Sequence, residues 1–557
     1  MPLKLARAIP HQVVLCAVAF VAILPLLFRG PSCGHDFEFH LLSWLEASRQ
    51  LAHYSYAHWA FSPAWGAGEP RFLFYPPLSW TLGAVLGLML PWNFVAIAFT
   101  WIALSIAGLT LHRLAIRYVD ANAALLAATF YVVNPYMLFT AYERTAYGEL
   151  LAAAWLPLLF AAMLAIRVRI VPIGVALALI WLTNAPAGVM SSYALAFVTI
   201  VRLAQSPKPV RAHLATKVAA GTALAFALAG FFLVPAVYEQ RFVQVNMAVT
   251  TGMRPADHTL FHRMAGKAED NAYHDGVVRA ASLIAVTMLS GIAITLLYAR
   301  RNRSTSQRGG SAFALIPLTI VIAFLLTPAS LYLWSHIPKL AFLQFPWRLC
   351  ALLGVTLALT IALALKNRLP STPYSLLPIP CLLLATAISF PLWHLFHQAC
   401  DGEDTVPYRV ALFHSNSGAD ATDEYTPVGA DGDALKKGNP PYWLLSANAD
   451  IQSALPAGPA PDHFSLNVSQ PYNLVLNRRQ YPHWQIRLNG TLVAPASPER
   501  EDGLITLKLP AGQDTVDLVW ASGLDQTIGL VISVFAGAIT LALARKKLFG
   551  DSSDAQS

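Results

Sequence analysis

Carboxylate and imidazole side chains are concentrated in one short stretch near the N-terminus, Gly34-His35-Asp36-Phe37-Glu38-Phe39-His40. Asp36, Glu38 and His40 offer oxygen and nitrogen atoms that could hold a divalent cation such as Mg²⁺ or Mn²⁺, and either carboxylate is a candidate general base. In an extended chain the three side chains share one face, whereas in a helix Asp36 and His40 do and Glu38 points elsewhere. A hydrogen-bonded polar cap at a membrane surface is the alternative interpretation.

Arginine residues that border apolar runs are candidates for binding an anionic group. Arg71 lies ahead of a Pro pair, Arg144 and Glu149 lie between two apolar runs, and Gln344 and Arg348 lie just before a third. An Arg at the centre of a bilayer costs about 2.5–3.5 kcal/mol, so Arg348 is expected near the interface or paired. It fits either a snorkelling side chain or a ligand for a lipid phosphate. Arg144 with Glu149 fits either an ion pair between helix ends or a binding site.

The composition excludes a cytosolic enzyme. Of 557 residues, 56% are hydrophobic and 12% are charged, whereas soluble domains have about 25% charged residues. The mean hydropathy of +0.51 over the whole chain indicates many membrane spans rather than one anchor. The net charge of +8 does not indicate a nucleic acid partner, because the basic residues follow the membrane topology. No phosphate loop or dinucleotide fingerprint is present, so no nucleotide cofactor is expected.

Apolar runs of about 20 residues predict the membrane spans. The 13-residue run 78–90 is too short to cross and is interpreted as an interfacial or re-entrant helix. Twelve runs are predicted to cross: 12–28, 93–112, 121–140, 147–166, 170–184, 187–203, 217–237, 278–299, 311–330, 348–365, 375–396 and 524–544.

The charges predict the orientation of these spans. With the N-terminus inside, every predicted inner connection carries at least two basic residues, from Lys4 and Arg7 through Arg303 and Arg308 to the C-terminal tail. Before residue 398, Asp120 is the only acid on that side. Basic residues accumulate on the cytoplasmic side of membrane proteins, so both termini are expected to be cytoplasmic.

The chain is expected to have three parts: a membrane domain 1–396 with a long first outer loop 29–91, an extracytoplasmic domain 397–523, and a final span with a cytoplasmic tail, 524–557. Residues 472–477, 504–509 and 516–520 alternate apolar with polar side chains, which predicts strands of a small β-sandwich. Cys33 and Cys400 both lie on the predicted outer side and could pair.

Several motifs resemble the GT-C glycosyltransferases, multi-span enzymes that use polyprenyl-phosphate-linked sugars. The shared features are an acidic motif after the first span, a long first outer loop and a Pro-Pro-Leu entry to the short helix. Bacterial membrane proteins labelled as related to 6-pyruvoyl-tetrahydropterin synthase are also similar to this chain, in four runs: Phe72-Leu-Phe-Tyr-Pro-Pro-Leu78, Tyr142-Glu-Arg-Thr-Ala-Tyr-Gly-Glu149, Gln344-Phe-Pro-Trp-Arg348 and Asp423-Glu-Tyr-Thr-Pro427.

This resemblance implies a mainly α, GT-C-like bundle of about twelve spans in a bacterial plasma membrane. It further implies transfer of a sugar from a polyprenyl-phosphate-sugar lipid donor to a lipid, glycan or protein acceptor. Asp36 would act as base with Glu38 as its neighbour, inverting the sugar. From the residues themselves, either a divalent cation binds at Asp36, Glu38 and His40, or Glu38 and His40 simply orient Asp36. The residues expected to bind substrate or phosphate are Arg348, Arg144, Arg71, Glu149 and Gln344.

Two other classes of protein remain open. A non-catalytic cell-envelope protein could have this fold and use its outer domain for assembly or binding. A lipid or glycan transporter fits less well, because its path should carry ionisable residues in mid-span and these spans hold them almost only at their ends.

Overall fold

The fold is described from a computed structural model that covers residues 9–266, 269–301, 314–366, 368, 378–446, 449–451, 455–496 and 500–550. The described residues do not include four of the basic residues predicted to be cytoplasmic, Lys4, Arg7, Arg303 and Arg308, or the tail 551–557. Within them the chain is mostly helical, with a small β-rich domain before the last helix. The helices are α1 His11–Arg29, α2 Phe37–Ala52, α3 Arg71–Phe74, α4 Pro77–Met89, α5 Trp92–Ala115, α6 Ala121–Val132, α7 Pro135–Tyr142, α8 Tyr147–Met163, α9 Ile170–Thr183, α10 Ala185–Gln205, α11 Lys208–Leu228, α12 Gly230–Glu239, α13 Glu269–Arg301, α14 Leu315–Leu325, α15 Leu331–His336, α16 Cys350–Leu365, α17 Pro378–Phe396, α18 Val406–His414 and α19 Leu524–Gly550.

The helices make this a multi-pass membrane protein. Among the described residues, eight helices are long and apolar enough to cross a membrane. Two bent pairs, α11 with α12 (76°) and α14 with α15 (94°), raise the number to ten if each pair is one span. The eight are α1, α5, α6 continued by α7, α10, α13, α16 with its preceding turn, α17 and α19.

The described residues thus contain eight to ten candidate spans, compared with the twelve apolar runs predicted to cross. The runs 147–166 and 170–184 form α8 and α9, which have 17 and 14 residues. Every residue of α8 except Trp155 and Leu158 is buried, so its apolar surface faces other helices rather than lipid. Hydropathy alone does not distinguish these two environments. The short run 78–90 forms the 13-residue α4, also too short for a full span.

Local sequence signals set several helix boundaries. Pro77 occupies the first turn of α4, where a missing N–H is tolerated. The Asn134 side chain accepts hydrogen bonds from the backbone N–H groups of Tyr136 and Met137 at the start of α7. Asn184 caps α10 in the same way, and its extended backbone separates α9 from α10.

The predicted β-sandwich is confirmed as two antiparallel four-stranded sheets, ordered β2-β1-β4-β7 and β3-β8-β5-β6. Leu474 and Leu507 from the first sheet and Val516 and Leu518 from the second belong to one buried apolar cluster. Burial alternates along β8, as the sequence pattern requires. The strands are β1 Tyr442–Ser446, β2 Ala449–Ile451, β3 His463–Val468, β4 Tyr472–Arg479, β5 Trp484–Leu488, β6 Thr491–Val493, β7 Leu504–Leu509 and β8 Gly512–Trp520.

The first long loop, which contains α2 to α4, packs against the β-rich domain. The backbone N–H of Arg479 donates to the carbonyl of Ala67 (3.0 Å), and Asn477 Nδ2 donates to the carbonyl of Trp65 (3.1 Å). A disulfide between Cys33 and Cys400, with Cα atoms 5.0 Å apart, ties the segment before α2 to the segment after α17. This confirms the pairing considered from the sequence.

Candidate active site

Asp36 lies at the N-terminal boundary of α2. The backbone N–H of His40 donates to the carbonyl of Asp36 (3.1 Å), so residues 36–40 are helical and Glu38 points away from the face shared by Asp36 and His40. The backbone N–H of Asp36 in turn donates to the carbonyl of Arg144 (2.9 Å). The start of α2 is thereby fixed to the turn between α7 and α8.

Residues from three separate segments meet at this point, and Asp36, Arg144, Glu149, Gln344 and Arg348 are together called the Asp36 cluster. Arg144 donates from Nη2 to Asp36 Oδ2 (3.2 Å) and from Nη1 to Glu149 Oε2 (2.6 Å). Arg348 Nε lies 3.2 Å from the same Glu149 oxygen. Arg348 Nη1 also donates to Gln344 Oε1 (3.0 Å), and Gln344 Nε2 donates to the carbonyl of Ala248 (2.7 Å). The cluster therefore joins α2, the start of α8 and the start of α16.

Burial divides the acids of the cluster into two kinds. Asp36 keeps 37% of its side chain exposed, whereas Glu149 keeps 3%. Glu149 is held by Arg144, Arg348 and the hydroxyl of Tyr136, which donates to Glu149 Oε1. Two carboxylates and two guanidiniums balance in charge, as buried ions require. Asp36 is consequently the carboxylate of this cluster that a ligand can approach.

The backbone at the cluster adopts conformations unusual for its residues. Thr145 has φ 47° and Gln344 has φ 60°, both in the left-handed region that β-branched and long side chains rarely enter. Each such residue costs of order 1–3 kcal/mol, and such residues concentrate at functional sites. Thr145 is also fully buried, and its hydroxyl donates to the carbonyl of Arg144 (2.7 Å). The neighbouring packing holds Arg144 in position despite the strain.

Aromatic rings support both guanidiniums. Phe345 and Trp347 stack with centroids 4.8 Å apart and planes within 6°. The Arg144 guanidinium carbon lies 4.8 Å from the Trp347 ring centroid, and that of Arg348 lies 4.6 Å from the Phe345 centroid. Planar guanidinium groups stack favourably on aromatic faces, so these rings restrict the orientation of both cations.

The charges around Asp36 keep it ionised. Burial by itself would raise the pKa of the Asp36 carboxyl, but the positive Arg144, with smaller contributions from His40, Arg348 and His35, holds that pKa below its usual value. Burial lowers the pKa of His40 to about 4, with Asp36 opposing the shift, so this imidazole is neutral near pH 7. His40 Nδ1 lies 2.9 Å from the hydroxyl of Tyr75.

Glu38 lies outside the Asp36 cluster. Its carboxylate pairs with Arg409 of α18 (2.6 Å), and Arg409 also binds Asp404 (2.8 Å). Burial raises the pKa of Glu38, although Arg409 opposes the shift. Glu38 and Arg409 line a small, partly open pocket with Leu45 and Phe413.

Arg71 is likewise placed elsewhere. Its Nε donates to Glu69 (2.7 Å), and its Nη atoms donate to Ser43 Oγ and Thr422 Oγ1 (both 3.1 Å). All three nitrogens have acceptors and the residue is 2% exposed. Arg71 thus fixes α3 to α2 and to the segment before the β-rich domain, and the expected phosphate-binding role of this residue stays a prediction.

The expected cation site at Asp36, Glu38 and His40 does not fit the structure. These side chains bind Arg144, Arg409 and Tyr75 respectively, and they do not converge on one point. In the part of the chain that is described, the His, Cys and acidic residues with converging ligand atoms are Glu239, His483 and Asp525.

Sequence reasoning missed several supporting residues of the Asp36 cluster. Tyr136 follows the helix-capping Asn134, and nothing in its neighbourhood signals a bond to Glu149. Phe345 and Trp347 lie in the run Gln344–Arg348, which only a resemblance to other proteins distinguishes in the sequence. Their contacts with Arg144 cross between distant segments and leave no local pattern.

No protein-family model matches this sequence, and no curated protein matches it. Among solved structures, the arabinofuranosyltransferase AftD from Mycobacteria is 18% identical, with a TM-score of 0.43 over 72% of this chain and 28% of that chain. The Archaeoglobus fulgidus oligosaccharyltransferase in complex with Zn and sulfate is 14% identical, with a TM-score of 0.40 over 71% and 54%. ArnT from Cupriavidus metallidurans, bound to undecaprenyl phosphate, is 14% identical, with a TM-score of 0.27 over 68% and 88%.

This chain spans only 28% of the AftD chain and 54% of the oligosaccharyltransferase chain. The activities of those longer proteins are therefore not assigned to this chain. The narrower likeness to proteins labelled 6-pyruvoyl-tetrahydropterin-synthase-related stays a prediction. The chain itself is a mainly helical, multi-pass membrane protein with a small antiparallel β domain.

Proposed function

We propose that this protein is an integral-membrane glycosyltransferase that moves a sugar from a polyprenyl-phosphate donor to an acceptor outside the cytoplasm. The observation that carries the proposal is the Asp36–Arg144 ion pair, in which a partly exposed carboxylate is held against a buried cation and, through Glu149, next to a second one. A transfer from a lipid phosphate needs a base for the acceptor and positive charge for the departing phosphate. The Asp36 cluster contains both.

In the proposed reaction the acceptor hydroxyl oxygen attacks the anomeric carbon from the face opposite the lipid phosphate, so the configuration inverts. The new carbon–oxygen bond forms as the bond to phosphate breaks, and the hydroxyl proton passes to Asp36 within about 2.6–3.2 Å. The phosphate leaves on its lipid without a proton donor. No metal ion is invoked, since the predicted ligands do not converge.

Charge balance links the two halves of this reaction. Before transfer, Asp36 and Glu149 offset Arg144 and Arg348. When Asp36 takes up the proton, the cluster gains one net positive charge as the phosphate, a monoanion in the donor diester, gains a second negative charge. Preorganised charge of this kind is usually the largest contribution to stabilising a transition state.

The proposed location is the outer leaflet of a bacterial plasma membrane, with both termini in the cytoplasm. The Cys33–Cys400 disulfide supports this orientation, because disulfides persist in oxidising compartments and it lies next to Asp36 in the chain. Proposed partners are the polyprenyl-phosphate-sugar donor and a lipid, glycan or protein acceptor. Attaching a reporter enzyme after residue 550 would test the predicted side of the C-terminus.

The test compares membranes that contain the wild-type chain, Asp36→Asn or the control Asp401→Asn, an exposed aspartate after Cys400. Membranes receive a panel of radiolabelled undecaprenyl-phosphate pentoses and hexoses, and label in glycan and lipid fractions is counted. Asp36→Asn is expected to lower transfer by about 10²–10⁴-fold, as for loss of a general base, with the control unchanged. Full activity of Asp36→Asn eliminates Asp36 as base, and no transfer by the wild type favours the non-catalytic binding protein.

A further inference from the structure

A second group of ionisable side chains lies where α12, the β-rich domain and α19 meet. Glu239 ends α12, His483 lies in the turn before β5, and Asp525 lies in the first turn of α19. One ligand atom from each residue lies within 4.8 Å of the others. The residues are 0%, 8% and 8% exposed, respectively. Glu239, His483 and Asp525 are called the Glu239 cluster.

Hydrogen-bond donors reach Glu239 from several sides. His483 Nε2 lies 3.0 Å from Glu239 Oε1, and the Tyr481 hydroxyl donates to Glu239 Oε2 (2.8 Å). Gln526 Nε2 lies 3.3 Å from Glu239 Oε1 and 3.2 Å from His483 Nε2. The polar groups of α12, α19 and the β-rich domain thus converge on one point.

Asp525 has fewer partners: its carboxyl group forms a side-chain hydrogen bond with Glu239. Its Oδ2 atom is buried and has no hydrogen-bond donor, and among the described residues no Lys or Arg forms an ion pair with Asp525 or Glu239. Burying an unpaired carboxylate costs several kcal/mol. A protonated His483 offsets one of the two negative charges, and the other is offset either by a proton shared between Glu239 and Asp525 or by a bound cation.

We propose that Glu239, His483 and Asp525 bind a divalent transition-metal cation, and that Zn²⁺ fits this donor set. One imidazole nitrogen and two carboxylate oxygens are common zinc ligands, and three protein ligands leave a position for a fourth. Gln526 Oε1 is buried without a donor, and rotating this amide by 180° turns that oxygen towards Glu239 and His483. The cation would replace the missing positive charge and accept a lone pair from neutral His483.

Asp525 and His483 both pack closely against the backbone of Gly523. A Cβ at Gly523 would lie 2.3 Å from Asp525 Oδ1 and 2.7 Å from His483 Cε1, so a larger residue would push the carboxylate and imidazole apart. The bound cation would fix the β-rich domain to the ends of α12 and α19. This inference does not depend on the proposed transferase, because the Glu239 cluster shares no residue and, in the described chain, no hydrogen bond with the Asp36 cluster.

Zinc binding is tested on the full chain purified in detergent and stripped with a chelator. Equilibrium dialysis against Zn²⁺ with elemental analysis should find one tight site per chain, and saturating Zn²⁺ should raise Tm. Asp525→Asn and His483→Gln should each weaken binding at least about tenfold. The control variants are His463→Gln and Asp517→Asn, which alter another His–Asp pair in the same domain (2.5 Å), and these should bind Zn²⁺ like the wild type.

A second measurement covers variants that fold poorly. Co²⁺ added in place of Zn²⁺ should give visible absorption bands in the wild type and both controls but not in His483→Gln, and the unfolding transition without metal identifies any misfolded variant. Absence of a stoichiometric site in the wild type would overturn the proposal and leave a proton shared between the carboxylates as the missing charge. Undiminished binding by Asp525→Asn together with His483→Gln would also overturn it.

Discussion

Asp36 and Arg144, which lie 108 positions apart in the chain, are held together twice. The backbone N–H of Asp36 donates to the Arg144 carbonyl (2.9 Å), and Arg144 Nη2 donates to Asp36 Oδ2 (3.2 Å). The backbone contact fixes where α2 begins, and the side-chain contact fixes the direction of the carboxylate. A base positioned by two independent contacts loses little orientational freedom when a substrate binds.

Removing Arg144 should destabilise the protein strongly. Arg144→Met leaves Glu149 buried with one cation fewer, and breaking a buried pair by removing one partner costs about 3–5 kcal/mol. Arg211→Met is the control, because Arg211 is exposed and donates to the backbone carbonyl of Ser206, and its loss should cost about 0–1 kcal/mol. Denaturant unfolding in detergent measures both. Equal losses for the two variants would contradict the structural importance of Arg144.

Gly34 should be sensitive to the smallest substitution. A Cβ at this position would lie 2.2 Å from the Glu143 carbonyl oxygen, so Gly34→Ala must move the start of α2 away from the turn that carries Arg144. We expect a loss of about 1–3 kcal/mol in stability and, from a shift of about 1 Å at Asp36, about 10²-fold in sugar transfer. Gly402→Ala, where nothing lies within 4 Å, should behave like the wild type. An unaffected Gly34→Ala variant would exclude this docking.

The disulfide predicts a definite count of thiols. Alkylation of the denatured protein should modify Cys16, Cys350 and Cys381 without reductant, and all five cysteines after reduction, as read by mass spectrometry. Loss of the disulfide should lower the free energy of unfolding by about 2–5 kcal/mol. The effect should be similar in Cys33→Ser, Cys400→Ser and the double variant, because all three remove the same bond. Cys16→Ser is the control. Five modified thiols before reduction would show that the pair is not formed.

His40 should make the stability depend on pH in a specific window. Its pKa is lowered by burial from 6.5 to about 4, so between these values the unfolded chain binds a proton that the folded chain does not. Stability therefore falls as the pH drops from about 6.5 to 4, by about 3 kcal/mol from this residue, and the loss levels off below that. The difference in unfolding free energy between the wild type and His40→Gln, measured from pH 7 to 4, isolates this contribution. A constant difference would contradict a buried neutral His40.

Part of this architecture follows from local sequence. Apolar runs predict membrane helices because a helix in lipid must satisfy its own backbone and face hydrocarbon. Alternation at 472–477, 504–509 and 516–520 predicts β4, β7 and β8 because strands place successive side chains on opposite faces. The candidate residues Asp36, Arg144 and Arg348 were also identifiable, since ionisable groups beside apolar runs need a partner.

The partners of those residues were decided by tertiary structure. The packing of distant helices decides whether residues 36–40 are extended or helical. It also decides whether Arg71 pairs with Asp36 or with Glu69, and whether α8 faces lipid or protein. Composition and periodicity are averages over neighbouring residues, so they report what an element is made of. A salt bridge such as Arg348–Glu149 depends instead on the relative position of two elements, which is fixed once the bundle has folded.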